Sequence, residues 1–215
     1  MAHIHLEDGS FTLFWVIVWW AVTLAVIGAA LIVLRSRKPD PRHITIAAFC
    51  TAAAFALSQV EIPIAGGVHI SLTPLIGILT GPVIGSFIVL ITNILDAAIG
   101  HGGWGLVGAN TLVSLSEVVV AYGMYRGLRK IVPALAPRAA LATLAGLLCG
   151  NLVMIGIVLV SGIQMVNQGP QQILAGLSLV AAINMVIAII EALMTGLVVS
   201  YIGSMRPDLL DSGRK

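Results

Sequence analysis

Charge is the scarcest property of this chain. Only 9% of its 215 residues are Asp, Glu, Lys or Arg, against about 25% in an ordinary soluble domain. Hydrophobic residues make up 59% of it, and the mean hydropathy is +1.05. A water-facing surface cannot be built from so few charges. A soluble enzyme or a nucleic-acid-binding domain is therefore excluded, and the composition points to an integral protein of the lipid bilayer. Cysteine is equally rare. Cys50 and Cys149 are the two present, both inside apolar segments, and they read as free buried thiols rather than a disulfide or a metal pair.

Further absences narrow the function. No Lys or Arg precedes Arg35, and Glu7 and Asp8 stand where a secretory leader carries its basic residues. The start is thus expected to be retained, with residues 11–34 as a first spanning helix, because a bilayer needs about 20 apolar residues. No GxxxxGK[ST] pattern is present, so any ATP hydrolysis must come from a partner. No HExxH pair and no Ser/His/Asp or Cys/His arrangement argues for catalysis.

The positive charges that do occur are grouped. All eleven Lys and Arg fall in three clusters: Arg35, Arg37, Lys38 and Arg42; Arg126, Arg129, Lys130 and Arg138; and Arg206, Arg214 and Lys215. Short loops rich in Lys and Arg stay cytoplasmic. The clusters are then inside, the N-terminus outside and the C-terminus cytoplasmic, in the cell membrane. Spans are expected at 12–34, 44–60, 104–125, 139–162 and 173–204. Parity demands an even number of crossings between residues 60 and 104. The segment 70–99 meets it as two short helices of about 15 residues, broken at Gly81-Pro82. The expectation is an all-α membrane protein with seven transmembrane helices, one domain over residues 1–215. It comprises an N-terminal tail (1–11), a helical bundle (12–204) and a cytoplasmic tail (205–215).

Small residues recur at four-residue spacing in two rows, Gly77, Gly81 and Gly85, and Ala48, Ala52 and Ala56. Such rows let helices approach closely in lipid. The glycine row reads as internal packing and the alanine row as a docking face for another membrane protein. Asn93, Asp96, Asn110, Glu117, Asn151, Asn184 and Glu191 lie in membrane segments, where polar groups are costly and often functional. They read as interhelical hydrogen-bonding groups or as supports for a metal-binding loop.

Metal chemistry centres on the histidines. By the topology above, His3, His5, His69 and His101 lie at the outer face, while His43 sits beside the first basic cluster. Imidazole suits nickel, copper and zinc, and nitrogen-rich square-planar sites favour Ni(II) or Cu(II). A terminal amine, the next amide nitrogen and a second-position imidazole close fused chelate rings around one ion. If Met1 is removed, Ala2 supplies the amine and His3 the amide and imidazole, with His69 available as fourth ligand. If Met1 stays, its amine, two amides and His3 fill all four places without His69. His101 and Asn110 read as groups that hold the tail and orient its ligands. His5 reads as an additional ligand or as a solvated residue.

The residues that frame these positions carry a family resemblance. AHIHLEDGSF (2–11), GGVHISLTPLIGILTGP (66–82), HGGWGLVGAN (101–110), YRGLRK after the fifth span and IEALMTGLVV (190–199) resemble the cobalt and nickel substrate-capture (S) component of energy-coupling-factor transporters, the CbiM/NikM family. That family typically begins Met-His-Ile, followed by an acidic residue and Gly. Here Ala2 is one residue extra before His3, and His5-Leu6 is inserted before the acidic pair. The resemblance implies one extra N-terminal helix before a six-helix core, with the tail tucked into the outer mouth. It implies Ni(II) or Co(II) as transported substrate, held by Ala2, His3 and His69, and no resident cofactor. It also implies a transmembrane coupling (T) subunit, docked on the alanine row, two ABC-type ATPase subunits and a small accessory membrane subunit. Two other readings are an intramembrane metalloenzyme using His69 and His101, and an S component for an organic vitamin.

Overall fold

The computed structural model describes residues 9–37, 41–62, 68–163 and 170–211. Long apolar helices dominate it: α1 (Leu13–Arg37), α2 (Pro41–Ser58), α3 (Thr73–Ala98), α4 (Val107–Gly127), α5 (Leu135–Ser161) and α6 (Pro170–Met205), followed by a single turn, α7 (Asp208–Asp211). Among the described residues five helices, with α3 taken end to end, are long and apolar enough to cross a membrane, and α2 supplies a shorter apolar one over His43–Ser58. Between α2 and α3 a minimal antiparallel hairpin forms from β1 (Glu61–Ile62) and β2 (Val68–His69).

The third helix is not a straight rod. Gly81 has φ 73° and ψ 174°, a region that essentially only glycine occupies, and Pro82 follows it without a backbone N–H. The two legs, residues 73–80 and 82–98, fold back on each other. A Cβ on Gly85 would lie 3.5 Å from Cγ2 of Ile76, although nine residues of straight helix would separate the two by about 13 Å. Ile76, Ile88 and Val89 share one core cluster with Val118 of α4. With the legs counted separately the described residues form seven apolar helical segments, as expected, and the break falls at the expected residues. The legs are unequal, however. The first spans only about 12 Å, because the chain enters it from an irregular segment already buried in the bundle: Ser71 is 2% exposed and Thr73 4%.

This reversal reconciles the helices with the charges. A straight α3 would place the first two basic clusters at opposite ends. The reversal makes four passes between them, and α5 and α6 make two more before the third. The packing agrees. Arg138 at the start of α5 donates to the hydroxyl of Tyr125 near the end of α4 at 2.9 Å, and its guanidinium lies 4.3 Å from that ring's centre. Gly203, late in α6, meets Leu135 of α5.

The first helix is fastened mainly through its N-terminal half. Trp19 Nε1 donates to Ser161 Oγ at 2.8 Å, Trp20 Nε1 to the Trp104 carbonyl at 3.3 Å, and Thr23 Oγ1 to the Gly108 carbonyl at 2.7 Å. Gly108 permits the approach, since a Cβ there would stand 2.7 Å from the Trp20 backbone nitrogen. Tryptophans gather where a helix meets the membrane interface, and Trp15, Trp19 and Trp20 mark the end of α1 opposite the basic clusters.

Candidate metal-capture site

Of the residues expected to bind metal, Met1, Ala2, His3 and His5 lie outside the described residues. The backbone of His69 is described: it pairs in register with Glu61 across the hairpin. Among the described residues no group of three His, Cys, Asp or Glu converges on one point.

What the structure does place is the support behind His69. Two residues beyond it, the backbone N–H of Ser71 donates to Oε2 of Glu191 on α6 at 3.1 Å. Glu191 is 1% exposed, and its Oε1 has no hydrogen-bond partner among the described residues. Ser71 Oγ accepts from the Thr73 N–H at 2.9 Å and pairs with Thr73 Oγ1 at 2.5 Å. The SLTP sequence thereby turns the chain into the first leg of α3, with Pro74 in the opening turn where a missing N–H costs nothing. Sequence reasoning singled out Glu191 but not Ser71. A hydroxyl two residues ahead of Thr-Pro was the available signal.

A small cavity of about 20 Å³ lies beside this turn, with Ser58, Ser71, Thr73, Thr92, Asn93 and Ser114 among its polar lining. That is room for about one water molecule. Asp96 closes the end of α3. Its Oδ1 accepts from Ser58 Oγ at 2.7 Å and Gln59 Nε2 at 2.9 Å, tying α2 to α3. Its backbone carbonyl accepts from the His101 N–H at 2.8 Å. His101 is half-buried and Asn110 buried in the first turn of α4, so both stand at the end of the bundle where α1 begins.

Deeper polar residues bind helix to helix. Asn184 Nδ2 donates to Asn151 Oδ1 at 3.2 Å, joining α6 to α5. Glu117 of α4 is 1% exposed and occupies space that Gly150 of α5 leaves open; a Cβ at Gly150 would collide with its carboxylate. The glycine row packs internally, with Gly77 and Gly85 both against Val118. The alanine row does not: Ala48, Ala52 and Ala56 are exposed, while Ala47, Cys50 and Ala54 on the other face of α2 pack toward α3. Cys50 and Cys149 are free thiols.

The family model described as the CbiM cobalt uptake substrate-specific transmembrane region matches residues 5–209. The chain belongs to the CbiM family. It is 39% identical over 133 residues to the cobalt transport protein CbiM of Carboxydothermus hydrogenoformans, a match covering 59% of this chain. The matched stretch spans about half of that relative's length, 54%. Longer matches are a putative cobalt transport protein CbiM 1 of Methanocorpusculum labreanum, 27% identical over 96% of this chain and 91% of the relative, and a putative fused nickel transport protein NikMN of Archaeoglobus fulgidus, 26% identical over 96% and 68%. Among solved structures, a truncated transition metal transporter superposes with a TM-score of 0.75 at 22% identity, over 94% of this chain and 99% of that one; it supports the fold. As a CbiM-family chain this is a multi-pass membrane protein of a transport family, not an enzyme.

Proposed function

We propose that this chain is the membrane subunit that captures divalent nickel or cobalt for an ATP-driven energy-coupling-factor importer. Membership of the CbiM family carries this reading, and the Glu191-anchored turn behind His69 supports it. The ion would be held as substrate by the Ala2 amine, the His3 amide and Nδ1, and His69, with His101 and Asn110 steadying the tail. A nitrogen-rich set of this kind rejects Mg(II) and Ca(II), which demand oxygen ligands. Lacking a nucleotide-binding motif, the chain relies on a transmembrane coupling subunit and two ABC-type ATPases, with a small accessory membrane subunit, to drive release inward. The exposed alanine row of α2 is the docking face for the coupling subunit.

Uptake of labelled Ni(II) and Co(II) by cells producing the whole transporter tests this. His69→Ala is expected to abolish accumulation, as is disabling the ATPases. Undiminished uptake by His69→Ala would rule out the proposed ligand set, and uptake without ATPase would rule out the importer.

A further inference from the structure

The stretch from His69 to Thr73 is non-helical for most of its length and enters the bundle interior. Irregular backbone at membrane depth persists only where protein groups satisfy its donors and acceptors. For Ser71 that group is a carboxylate 120 positions away in sequence, on the last long helix. A carboxylate is a costly way to satisfy one amide in lipid. A buried acidic side chain spent on one loop amide marks a functional rather than a merely packed position. Glu191 Oε2 is the acceptor for that amide, and the side chain is 1% exposed. It grips the backbone two residues from His69, where the chain turns by the Ser71–Thr73 hydroxyl pair into α3.

We infer that Glu191 is a positioning residue for metal capture: its buried carboxylate fixes the turn that follows His69 and joins α6 mechanically to the loop presenting that histidine. The inference rests on the capture reading above. It makes α6 an element whose displacement is transmitted to the His69 loop through one hydrogen bond. Residues that orient metal ligands typically alter affinity 10- to 100-fold when removed.

The test uses the purified full chain in lipid nanodiscs, with Ni(II) alone as probe, and two readouts. Amide hydrogen exchange over residues 68–73, measured without metal, reports the turn; Ni(II) titration reports the site. Glu191→Ala is expected to speed exchange at Ser71 and to weaken Ni(II) binding by about tenfold or more. Glu191→Gln keeps a carbonyl acceptor for the Ser71 N–H and is expected to restore slow exchange and most of the affinity. Unchanged exchange and affinity in Glu191→Ala overturn the inference. So does a Gln variant that keeps slow exchange yet binds as weakly as a His69→Ala control, since charge rather than position would then matter. If the Ala variant does not fold, Glu191→Met, which fills a similar volume without an oxygen acceptor for the Ser71 N–H, takes its place with the same expected and overturning results. Should His69→Ala leave Ni(II) binding intact, the capture reading fails, while the exchange result still decides whether Glu191 holds the turn.

Discussion

Gly77 of α3 lies so close to Val118 of α4 that a Cβ on it would stand 2.5 Å from the Val118 carbonyl oxygen. The neighbour is backbone and cannot swing aside. Gly77→Ala is therefore expected to lower stability by about 1–3 kcal/mol through overpacking. Gly156, exposed on α5, has nothing within 4 Å of its would-be Cβ. There Ala is expected to be neutral or stabilising, by up to about 1 kcal/mol, because it raises helix propensity. Thermal denaturation of both variants in one detergent checks the contrast. Equal midpoints would mean that the α3–α4 contact is looser than the structure has it.

The reversal at Gly81 makes a different demand. Its φ of 73° and ψ of 174° belong to a region closed to residues with a Cβ, at a cost of about 1–3 kcal/mol. Space is not the obstacle, since the nearest atom to a Cβ there is Cε2 of Tyr122 at 3.5 Å, an ordinary contact. Gly81→Ala is expected to destabilise by strain alone, so that Tyr122→Ala on the same background brings no rescue. Rescue, measured as a recovered melting temperature, would show that crowding and not dihedral strain is the cause.

The legibility of this fold followed the strength of each physical signal. Spans, their parity and the break at Gly81-Pro82 were readable because hydropathy, basic clusters and the Gly-Pro pair each report on a constraint that lipid enforces. The unequal legs of α3 were not, because their boundary depends on where the chain turns inside the bundle, and that is set by Ser71, Thr73 and Glu191. Those groups are far apart in sequence, so no local pattern joins Ser71 to Glu191. The alanine row was legible as a pattern, and its exposure, opposite the Ala47–Cys50–Ala54 face, became visible only with α3 in place. At the site, His69 was read as a ligand from its imidazole at the outer face and from the family resemblance of GGVHISLTP, and the structure adds the hairpin register and the anchor behind it. Met1, Ala2, His3 and His5 rest on sequence chemistry.

That chemistry makes its own prediction. At the proposed site, amine, amide and imidazole would all have to lose protons or remain unprotonated to bind the ion, so capture is expected to release protons and affinity to fall as pH falls. A log–log plot of the Ni(II) dissociation constant against proton concentration is expected to slope steeply in the acid range. Acetylating the terminal amine should abolish tight binding at every pH. Inserting one residue between Ala2 and His3 should do the same if Met1 is removed in the mature chain, which N-terminal mass spectrometry reads directly. An acetylated chain that binds as before would sink the amine ligand.

The proposed docking of a coupling subunit makes a prediction at the surface of α2. Ala48, Ala52 and Ala56 form an exposed small-residue stripe, which permits close helix approach where lipid offers no hydrophobic driving force. Phe49 beside it is 75% exposed and Ile44 61%, so the stripe is a shallow groove between larger side chains. Ala52→Leu fills the groove without touching the face packed on α3. An overpacked contact costs about 1–3 kcal/mol, and 1.4 kcal/mol is about tenfold in affinity. Recovery of the coupling subunit with a tagged chain is accordingly expected to fall by about tenfold or more. Ni(II) binding by the isolated chain should stay at the wild-type level, because the exposed stripe is separate from Ala54 and Ser58, the α2 residues that line the cavity beside the Ser71 turn. Undiminished co-purification from Ala52→Leu would move the docking face elsewhere on the bundle, and a parallel loss of Ni(II) binding would show that α2 had been disturbed as a whole.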